Sequence, residues 1–421
     1  MTQNLTADVL ICGGGISGFA AAVSAARLGA KVILVERLPF VGGAAYANLV
    51  NPFMLPKLEE KDLIKGIFSE VVSKLKKQNA CAHGQLFGQP HIVFDPEKLN
   101  EIMLEMLEQA EVKILFYSQV VASIMQGNSL KGVIVQSKLE ETKIFALSIV
   151  DATGDGDVSF LSGADYEVGR KSDGLCQPAT LMFRISAVDK NKMPSREKMN
   201  EIFSLGKQKN QIRTPRENFL WFETLKDDEI HVNSTRIQKI DGTSFSDLAK
   251  AEIEGRKQVF NLFTFLKENV PGFENSYISR IAPLVGIRES RRIIGEYILT
   301  EEDVEDGKKF DDPIAKNNYP IDIHSTNSSS TIFKKLGPGV YYEIPYRCLV
   351  PKKIDNLLVA GRAISTTHEA LSSTRIMPVC MAIGQAAGIA ASICAKKKIL
   401  PRKLDYSLLR KELLEQNAEI R

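Results

Sequence analysis

Apolar residues near the N-terminus form two short runs that enclose a stretch of small residues. Residues 9–12 and 32–35 are apolar throughout, and the segment between them begins with a Gly-x-Gly-x-x-Gly pattern and continues in alanine-rich sequence. Short apolar runs bounded by glycine indicate strands, and the longer small-residue run indicates a helix. The pattern predicts a strand, a glycine turn, a helix and a second strand, with Glu36 at the end of the second strand.

The pattern of polar and apolar residues changes several times after Glu36. Asp95-Pro96-Glu97 supplies an N-cap, a proline at the first helical position and an early acid, which predicts a helix through Gln109. The other predicted elements are an amphipathic helix over about 61–78, strands over 112–116, 120–125, 130–137 and 144–150, a helix over about 246–269, a strand over 357–361 and a small-residue helix over 377–395.

These elements predict an α/β fold in which one domain interrupts another. A chain of 421 residues exceeds the size at which single cores stop growing. The sequence becomes mixed α+β after about residue 166 and returns to short buried strands and small-residue helices near the C-terminus. We expect a Rossmann-like nucleotide-binding domain over 1–165 and 346–421, and an inserted α+β substrate or cap domain over 166–345.

Composition narrows the possible partners. Lys and Arg number 54 against 51 Asp and Glu, a formal charge of +3, so no nucleic acid partner is expected. The six cysteines are scattered without a C-x-x-C pair, and no His, Cys, Asp and Glu spacing suggests a metal site. The apolar run over 380–395 contains Gln385 and is shorter than the ~20 residues of a membrane span. We expect a cytoplasmic protein without a membrane span.

The glycine turn is the first motif in the chain that indicates ligand binding. In dinucleotide-binding folds, the glycine at position 13 allows the tight turn, Gly15 lets the backbone approach a pyrophosphate, and Gly18 lets helix and strand pack closely. The helix N-terminus presents N–H groups to phosphates. A carboxylate at Glu36 can accept hydrogen bonds from a ribose. The sequence therefore predicts a bound dinucleotide.

Later motifs point to FAD. Residues 149–156 (IVDATGDG) and 356–362 (NLLVAGR) resemble the segments that meet the adenine side and the ribityl chain of FAD in glutathione reductase-type flavoproteins. Segments 286–297, 344–351 and 366–388 look like those of a widespread bacterial family of FAD-dependent oxidoreductases, distantly similar to fumarate reductase and succinate dehydrogenase flavoproteins. The resemblance covers essentially the whole chain.

The resemblance implies a set of cofactor-binding residues and a mode of binding. Many relatives have an acid where Arg362 stands, so a carboxylate–ribityl contact from that position is not expected. No histidine for covalent flavin attachment stands near residues 42–43, so non-covalent FAD is expected. The expected cofactor-binding residues are Gly13, Gly15, Ser17, Gly18, Glu36, Arg37, Gly42, Gly43, Ala44, Val120, Ala152, Gly154, Asp155, Gly361, Arg362, Met381 and Ala382.

Four residues are candidates for chemistry on the substrate. His368 is a candidate for proton transfer, because a free histidine side chain titrates near neutrality, and Arg288 is a candidate carboxylate clamp or proton donor. Arg375 and Tyr346 are candidates for the substrate pocket, and Gln177 for the flavin face. For each of them, ion pairing, loop ordering or core packing remains the alternative.

These features lead to an FAD-dependent oxidoreductase that transfers a hydride between a small polar organic substrate and flavin N5. No second Gly-x-Gly-x-x-Gly occurs, so a dedicated NAD(P)H domain is not expected, and a protein or dye-like molecule is a possible electron acceptor. Two alternatives stay open, an FAD-containing RNA-modification protein and a flavin-bearing electron-transfer subunit of a larger complex. The sequence does not determine the oligomeric state.

Overall fold

The strands lie mostly in the first half of the chain. The structure is a computed structural model that describes residues 3–86, 88–326, 328 and 330–420. In chain order the strands are β1 (Gln3–Cys12), β2 (Val32–Val35), β3 (Phe53–Met54), β4 (Lys57–Leu58), β5 (Lys61–Asp62), β6 (Cys81–Leu86), β7 (Gln89–Phe94), β8 (Lys113–Leu115), β9 (Gln119–Gln126), β10 (Ser129–Ser137), β11 (Glu140–Asp151), β12 (Tyr166–Val168), β13 (Phe183–Ser186), β14 (Trp221–Glu223), β15 (Ile230–Val232), β16 (Tyr277–Ile281), β17 (Arg291–Ile293), β18 (Pro313–Asn317), β19 (Ile321–His324), β20 (Thr331–Lys334), β21 (Tyr342–Pro345) and β22 (Leu357–Val359).

The helices range from single turns to a 25-residue helix. Short 3₁₀ helices cover Tyr346–Leu349, Gly361–Ala363 and Pro401–Lys403. The α-helices are α1 (Ile16–Arg27), α2 (Ala44–Ala47), α3 (Ile67–Lys77), α4 (Pro96–Gln109), α5 (Asp157–Leu161), α6 (Arg196–Gln208), α7 (Phe245–Asn269), α8 (Glu301–Glu305), α9 (His368–Thr374), α10 (Met377–Lys397) and α11 (Tyr406–Glu415).

The main sheet begins with the predicted β-α-β unit. Its strands are ordered β8-β2-β1-β11-β10-β9, and β22 pairs with the end of β11. The strand β1 is parallel to both β2 and β11, and β2 is parallel to β8. The long strand β11 pairs antiparallel with β10 through its first half and parallel with β22 through its last residues. The carboxyl ends of β1, β2, β11 and β22 therefore meet at one edge, where ligands bind in such sheets. The fold is α/β with a Rossmann-like start.

Two small-residue helices pack against each other beneath this edge. A Cβ on Gly384 of α10 would lie 2.1 Å from the carbonyl oxygen of Ser17 on α1, and one on Gly388 would lie 2.1 Å from that of Ala21. The helix α10 is long and apolar enough to cross a membrane, but 94% of its most apolar 18-residue window is buried inside the protein. Its hydrophobicity therefore serves core packing, which explains the run of small residues.

A second group of elements carries its own core. The strands β14-β15-β13-β16 form an antiparallel sheet, and α6 and α7 contribute Met199, Phe203, Val259 and Leu262 to the buried cluster on it. Most buried apolar side chains of residues 293–344, among them Ile293, Leu299 and Ile321, belong instead to the cluster of the main sheet. The domain boundaries at 165 and 346 stay predictions.

Most predicted elements are confirmed, and one boundary was wrong. Asp95 accepts hydrogen bonds from the N–H groups of Glu97 and Lys98 at the start of α4, as predicted. The helix expected over 61–78 begins only at Ile67. Residues 61–62 instead pair with 57–58 in a short hairpin, and Gly66 has a φ of +67°, which ends any continuous helix there.

Candidate functional site

The glycine turn after β1 forms a close-packed loop with an open helix end above it. Gly13 has a φ of +101°, and a Cβ there would lie 2.4 Å from the carbonyl oxygen of Ala152. A Cβ on Gly18 would lie 1.8 Å from the carbonyl oxygen of Gly13. No side chain caps the N-terminus of α1 at Gly15. The uncapped end leaves backbone N–H groups for an anionic ligand, as a pyrophosphate requires.

Glu36 secures this loop from the end of β2. One carboxylate oxygen accepts the N–H of Gly14 at 2.6 Å, and the other accepts the N–H of Leu38 at 2.8 Å. The side chain is buried, and burial raises the pKa of its carboxyl, although these N–H groups and Arg37 oppose the shift. Arg37 itself is exposed. The acid follows β2 directly, as the sequence predicted, and its side chain reaches the glycine turn.

The loop containing Gly42 and Gly43 runs beside the same turn. Gly42 forms a parallel bridge with Gly15, and its N–H donates to the carbonyl of Gly14 at 2.9 Å. The next residue after this pair, Ala44, begins the short helix α2. The paired glycines thus bring a second backbone segment within reach of a ligand bound at the turn.

The ends of β11 and β22 bring Asp155 and Arg362 together. Arg362 donates to Asp155 at 2.7 Å, and the hydroxyl of Ser290 donates to the same carboxylate oxygen at 2.6 Å. Burial alone would raise the pKa of Asp155, but Arg362 and Ser290 lower it below its usual value. The Nε of Arg362 is buried without a partner. A Cβ on Gly361 would lie 2.6 Å from the hydroxyl of Ser17, so β22 ends directly against α1.

The other expected cofactor residues have different settings. Met381 is fully buried on α10, and Ala382 is partly exposed. Val120 lies on β9, where it pairs with Val135. Gly154 lies against Arg362, since a Cβ there would be 3.3 Å from the guanidinium carbon. The uncapped helix, the glycine cradle and the unpartnered Arg362 nitrogen fit an anionic dinucleotide such as FAD.

His368 sits in a buried ionic network. Its Nδ1 lies 2.8 Å from Glu289, which also pairs with Arg292 and accepts the backbone N–H of Gln177 at 2.9 Å. The side chains of His368, Glu289 and Arg292 are at most 4% exposed. The network ties α9 to the segment before β17 and to the Gln177 loop. His368 does not line the large cavity described next.

A cavity of about 480 Å³ lies between the edge of the main sheet and the second group of elements. Ala44, Arg362 and Met377 line it on the side of the expected cofactor segments. On the other side lie residues that come from distant parts of the chain. The charged residues among them are Arg216, Glu217, Arg288, Asp322 and Arg375, and the polar ones include Tyr319 and His324.

The structure brings two of the four catalytic candidates to this cavity. Arg288 donates to the carbonyl of Pro178 and to the hydroxyl of Thr180, and Arg375 donates to the backbone carbonyl of Asp322 at 3.3 Å. Tyr346 lies elsewhere, because its buried hydroxyl donates to the carbonyl of Pro401 at 3.0 Å.

Sequence reasoning missed Arg216, Tyr319, Asp322 and His324 at this cavity. His324 carried one available signal, since the chain has only five histidines. Burial and the surrounding arginines, Arg288 foremost, hold the pKa of His324 well below its usual value, so this imidazole is neutral at physiological pH.

Comparison with known proteins supports the cofactor assignment. A family model described as FAD dependent oxidoreductase matches residues 8–413. A fumarate reductase (cytochrome) of Shewanella frigidimarina is 55% identical over 40 residues, which are 10% of this chain and 7% of that protein. The chain thus spans a small fraction of the length of that relative.

Solved structures share the fold. A geranylgeranyl bacteriochlorophyll reductase-like protein from Thermoplasma acidophilum superposes with a TM-score of 0.53 at 13% identity, covering 99% of this chain and 85% of that one. A p-nitrophenol 4-monooxygenase from Pseudomonas putida gives a TM-score of 0.50 at 10% identity, with the same coverage of both chains. At these identities the likeness concerns the fold alone.

Proposed function

Because this chain belongs to the family of FAD dependent oxidoreductases, we propose that it binds FAD non-covalently and oxidises or reduces a small polar organic molecule in the adjoining cavity. The proposed architecture is a glutathione reductase-type FAD domain with an inserted substrate domain. FAD, when bound, supplies a hydride acceptor or donor at its flavin N5. The protein supplies binding, orientation and a route for the proton.

The proposal rests on one juxtaposition. Ala44, Arg362 and Met377, which belong to or adjoin the expected cofactor segments, line the same cavity as Arg288 and Arg375. A substrate held by those two arginines would therefore lie next to the cofactor. A cavity of about 480 Å³ is in the range for a small organic ligand.

The residues divide into three roles. The end of α1 and Glu36 hold the dinucleotide, while Arg288 and Arg375 orient the substrate through guanidinium hydrogen bonds. Oxidation of an alcohol or amine removes a hydride from carbon and a proton from the heteroatom, so one group must accept that proton. Arg288 or Arg375, which line the cavity, or His368 acting through another group stays the proposed proton carrier. The buried contact of His368 with Glu289 supports a fixed imidazole orientation.

An anaerobic half-reaction tests the proposal. The purified holoprotein is mixed without oxygen with panels of hydroxy acids, sugars and amines, and visible flavin absorbance is followed. We expect at least one class to bleach the flavin, and Arg288→Met to slow the bleaching about a hundredfold at unchanged FAD content. Flavin that dithionite reduces but that no panel member reduces, and that no oxidised panel member reoxidises, would contradict the proposal.

A further inference from the structure

The cavity concentrates positive charge without matching negative charge. Within the described residues, no carboxylate oxygen lies within 4.0 Å of a guanidinium nitrogen of Arg216, Arg288 or Arg375. Arg216 is 5% exposed, and its Nε donates to the amide oxygen of Asn218 at 3.0 Å. Arg288 has a carbonyl and a hydroxyl as partners. The three cations are therefore held by neutral groups.

These arginines also repel one another. Burial lowers the pKa of Arg288 well below its usual value, and Arg375, Arg216 and Arg236 lower it further. Burial and the nearby Arg236 likewise lower the pKa of Arg216 to about 10. Clustered like charges of this kind destabilise a folded protein until an anion joins them.

The remaining polar groups at the cavity do not balance the charge. Arg236 donates to Nδ1 of His324 at 3.2 Å, and because a guanidinium can only donate, the histidine proton lies on Nε2. His324 is thus a neutral donor, with Nε2 3.7 Å from the carboxylate of Asp322. Asp322 is the partly buried acid of the lining, whereas Glu217 is exposed to solvent.

Because solvent screens the exposed Glu217, the buried part of the lining has three guanidinium groups against the one carboxylate of Asp322, which leaves two positive charges. Arg362 does not add to this excess, because it is paired with Asp155. The backing Arg236 contacts the carbonyls of Ser328 and Ser330 and the hydroxyl of Thr331, as well as His324. A bound molecule with two negative charges would neutralise the cavity.

We propose that this cavity selects a small organic dianion, recognised by Arg216, Arg288 and Arg375 with His324 as a neutral hydrogen-bond donor. The inference deepens the proposed function, on which it rests, by naming the substrate class. Two carboxylates on a short carbon chain and one phosphate group share this chemistry. The three arginines offer enough donors for two separate anionic groups or for one.

Titration of the holoprotein at constant ionic strength tests the dianion. Succinate, glutarate and inorganic phosphate are compared with butyrate as the monoanion control, with binding followed by calorimetry and by the visible flavin spectrum. We expect at least one dianion to bind at least about tenfold more tightly than butyrate. Saturable binding of succinate or glutarate would indicate that the two negative charges of the ligand lie on two separate groups. Saturable binding of phosphate alone would indicate that both charges lie on one group.

Matched variants locate the site. Arg288→Met and Arg375→Met are each expected to weaken dianion binding by about tenfold or more. Arg213→Met removes an exposed arginine three positions before Arg216 and is expected to leave binding unchanged. Equal binding of dianion and monoanion, or full dianion affinity in both cavity variants, would overturn the inference.

Different results would contradict the proposed FAD-dependent function and the dianion inference. A protein that holds FAD and oxidises substrates but shows no dianion preference loses only the dianion inference. A protein that holds no FAD loses the proposed function, while calorimetry of the same protein still reports whether dianions bind.

Discussion

Two regions of the molecule differ in how their residues are distributed along the chain. One is the cofactor side, which consists of the glycine turn and Glu36, and the other is the cavity lined by arginines. Gly13, Gly18 and Glu36 lie within one β-α-β unit, and their spacing carries the geometry. Arg216, Arg288 and Arg375 reach the cavity from three distant segments. A local motif can be interpreted from spacing alone. The cavity becomes recognisable only when the fold brings unpaired charges together.

The largest effect is expected from a substitution that disrupts the packing of α10 against α1, beneath the cofactor side. Gly384→Ala places a Cβ 2.1 Å from the carbonyl oxygen of Ser17, so α1 and α10 must separate. We expect the free energy of unfolding to fall by about 3 kcal/mol, measured by urea denaturation. Gly163→Ala is the control, because its Cβ meets nothing within 4 Å and only its φ of +82° costs about 1 kcal/mol. Equal losses in the two variants would contradict this packing.

The second effect concerns the buried network near the cavity. Glu289→Gln removes the charge that faces both Arg292 and His368, and leaves a buried guanidinium without its closest carboxylate. We expect a loss of about 3 kcal/mol in the free energy of unfolding. Glu167→Gln is the matched control, since the largely exposed Glu167 lies 3.5 Å from the same arginine and should cost under about 1 kcal/mol. A smaller loss for Glu289→Gln than for the control would refute the network's structural role.

The cofactor side could be predicted from the sequence better than the cavity, because its residues are close together in the chain. The β-α-β unit, the capped helix α4 and the small-residue helix α10 follow from local periodicity and capping, and the structure has all three. The start of α3 was misplaced because a short hairpin competes with helix formation there. Tyr346 lies in a motif segment, but motif membership does not distinguish a cavity residue from a core residue.

A third prediction uses pH to examine the second core. Burial, followed by the nearby Arg184, lowers the pKa of His231 to about 3 from its usual 6.5. Between these pH values the unfolded chain binds one more proton, so this residue makes stability fall as pH drops below 6.5, by about 1.4 kcal/mol per pH unit.

His231→Phe removes that contribution. Neither ring nitrogen of His231 has a partner, so the variant should be as stable as the unaltered protein at pH 8 and more stable at pH 5. The measurement is the difference in unfolding free energy between the two proteins across this range. Parallel pH profiles would show that His231 is not held neutral.

The smallest expected effect concerns Tyr346. Tyr346→Phe removes the hydrogen bond to the carbonyl of Pro401 and should cost about 1 kcal/mol of stability. Because the residue lies away from the cavity, substrate turnover at saturation should be unchanged. A large fall in turnover with unaltered melting temperature would instead assign Tyr346 to catalysis.

The most direct test of the cofactor assignment is the visible absorbance spectrum of the purified protein before and after denaturation. We predict an oxidised-flavin spectrum, with the chromophore released into the supernatant and identified as FAD. Chromophore retained in the precipitate would contradict non-covalent binding. A colourless protein that takes up no added FAD would contradict the account of the glycine-rich side as a cofactor site.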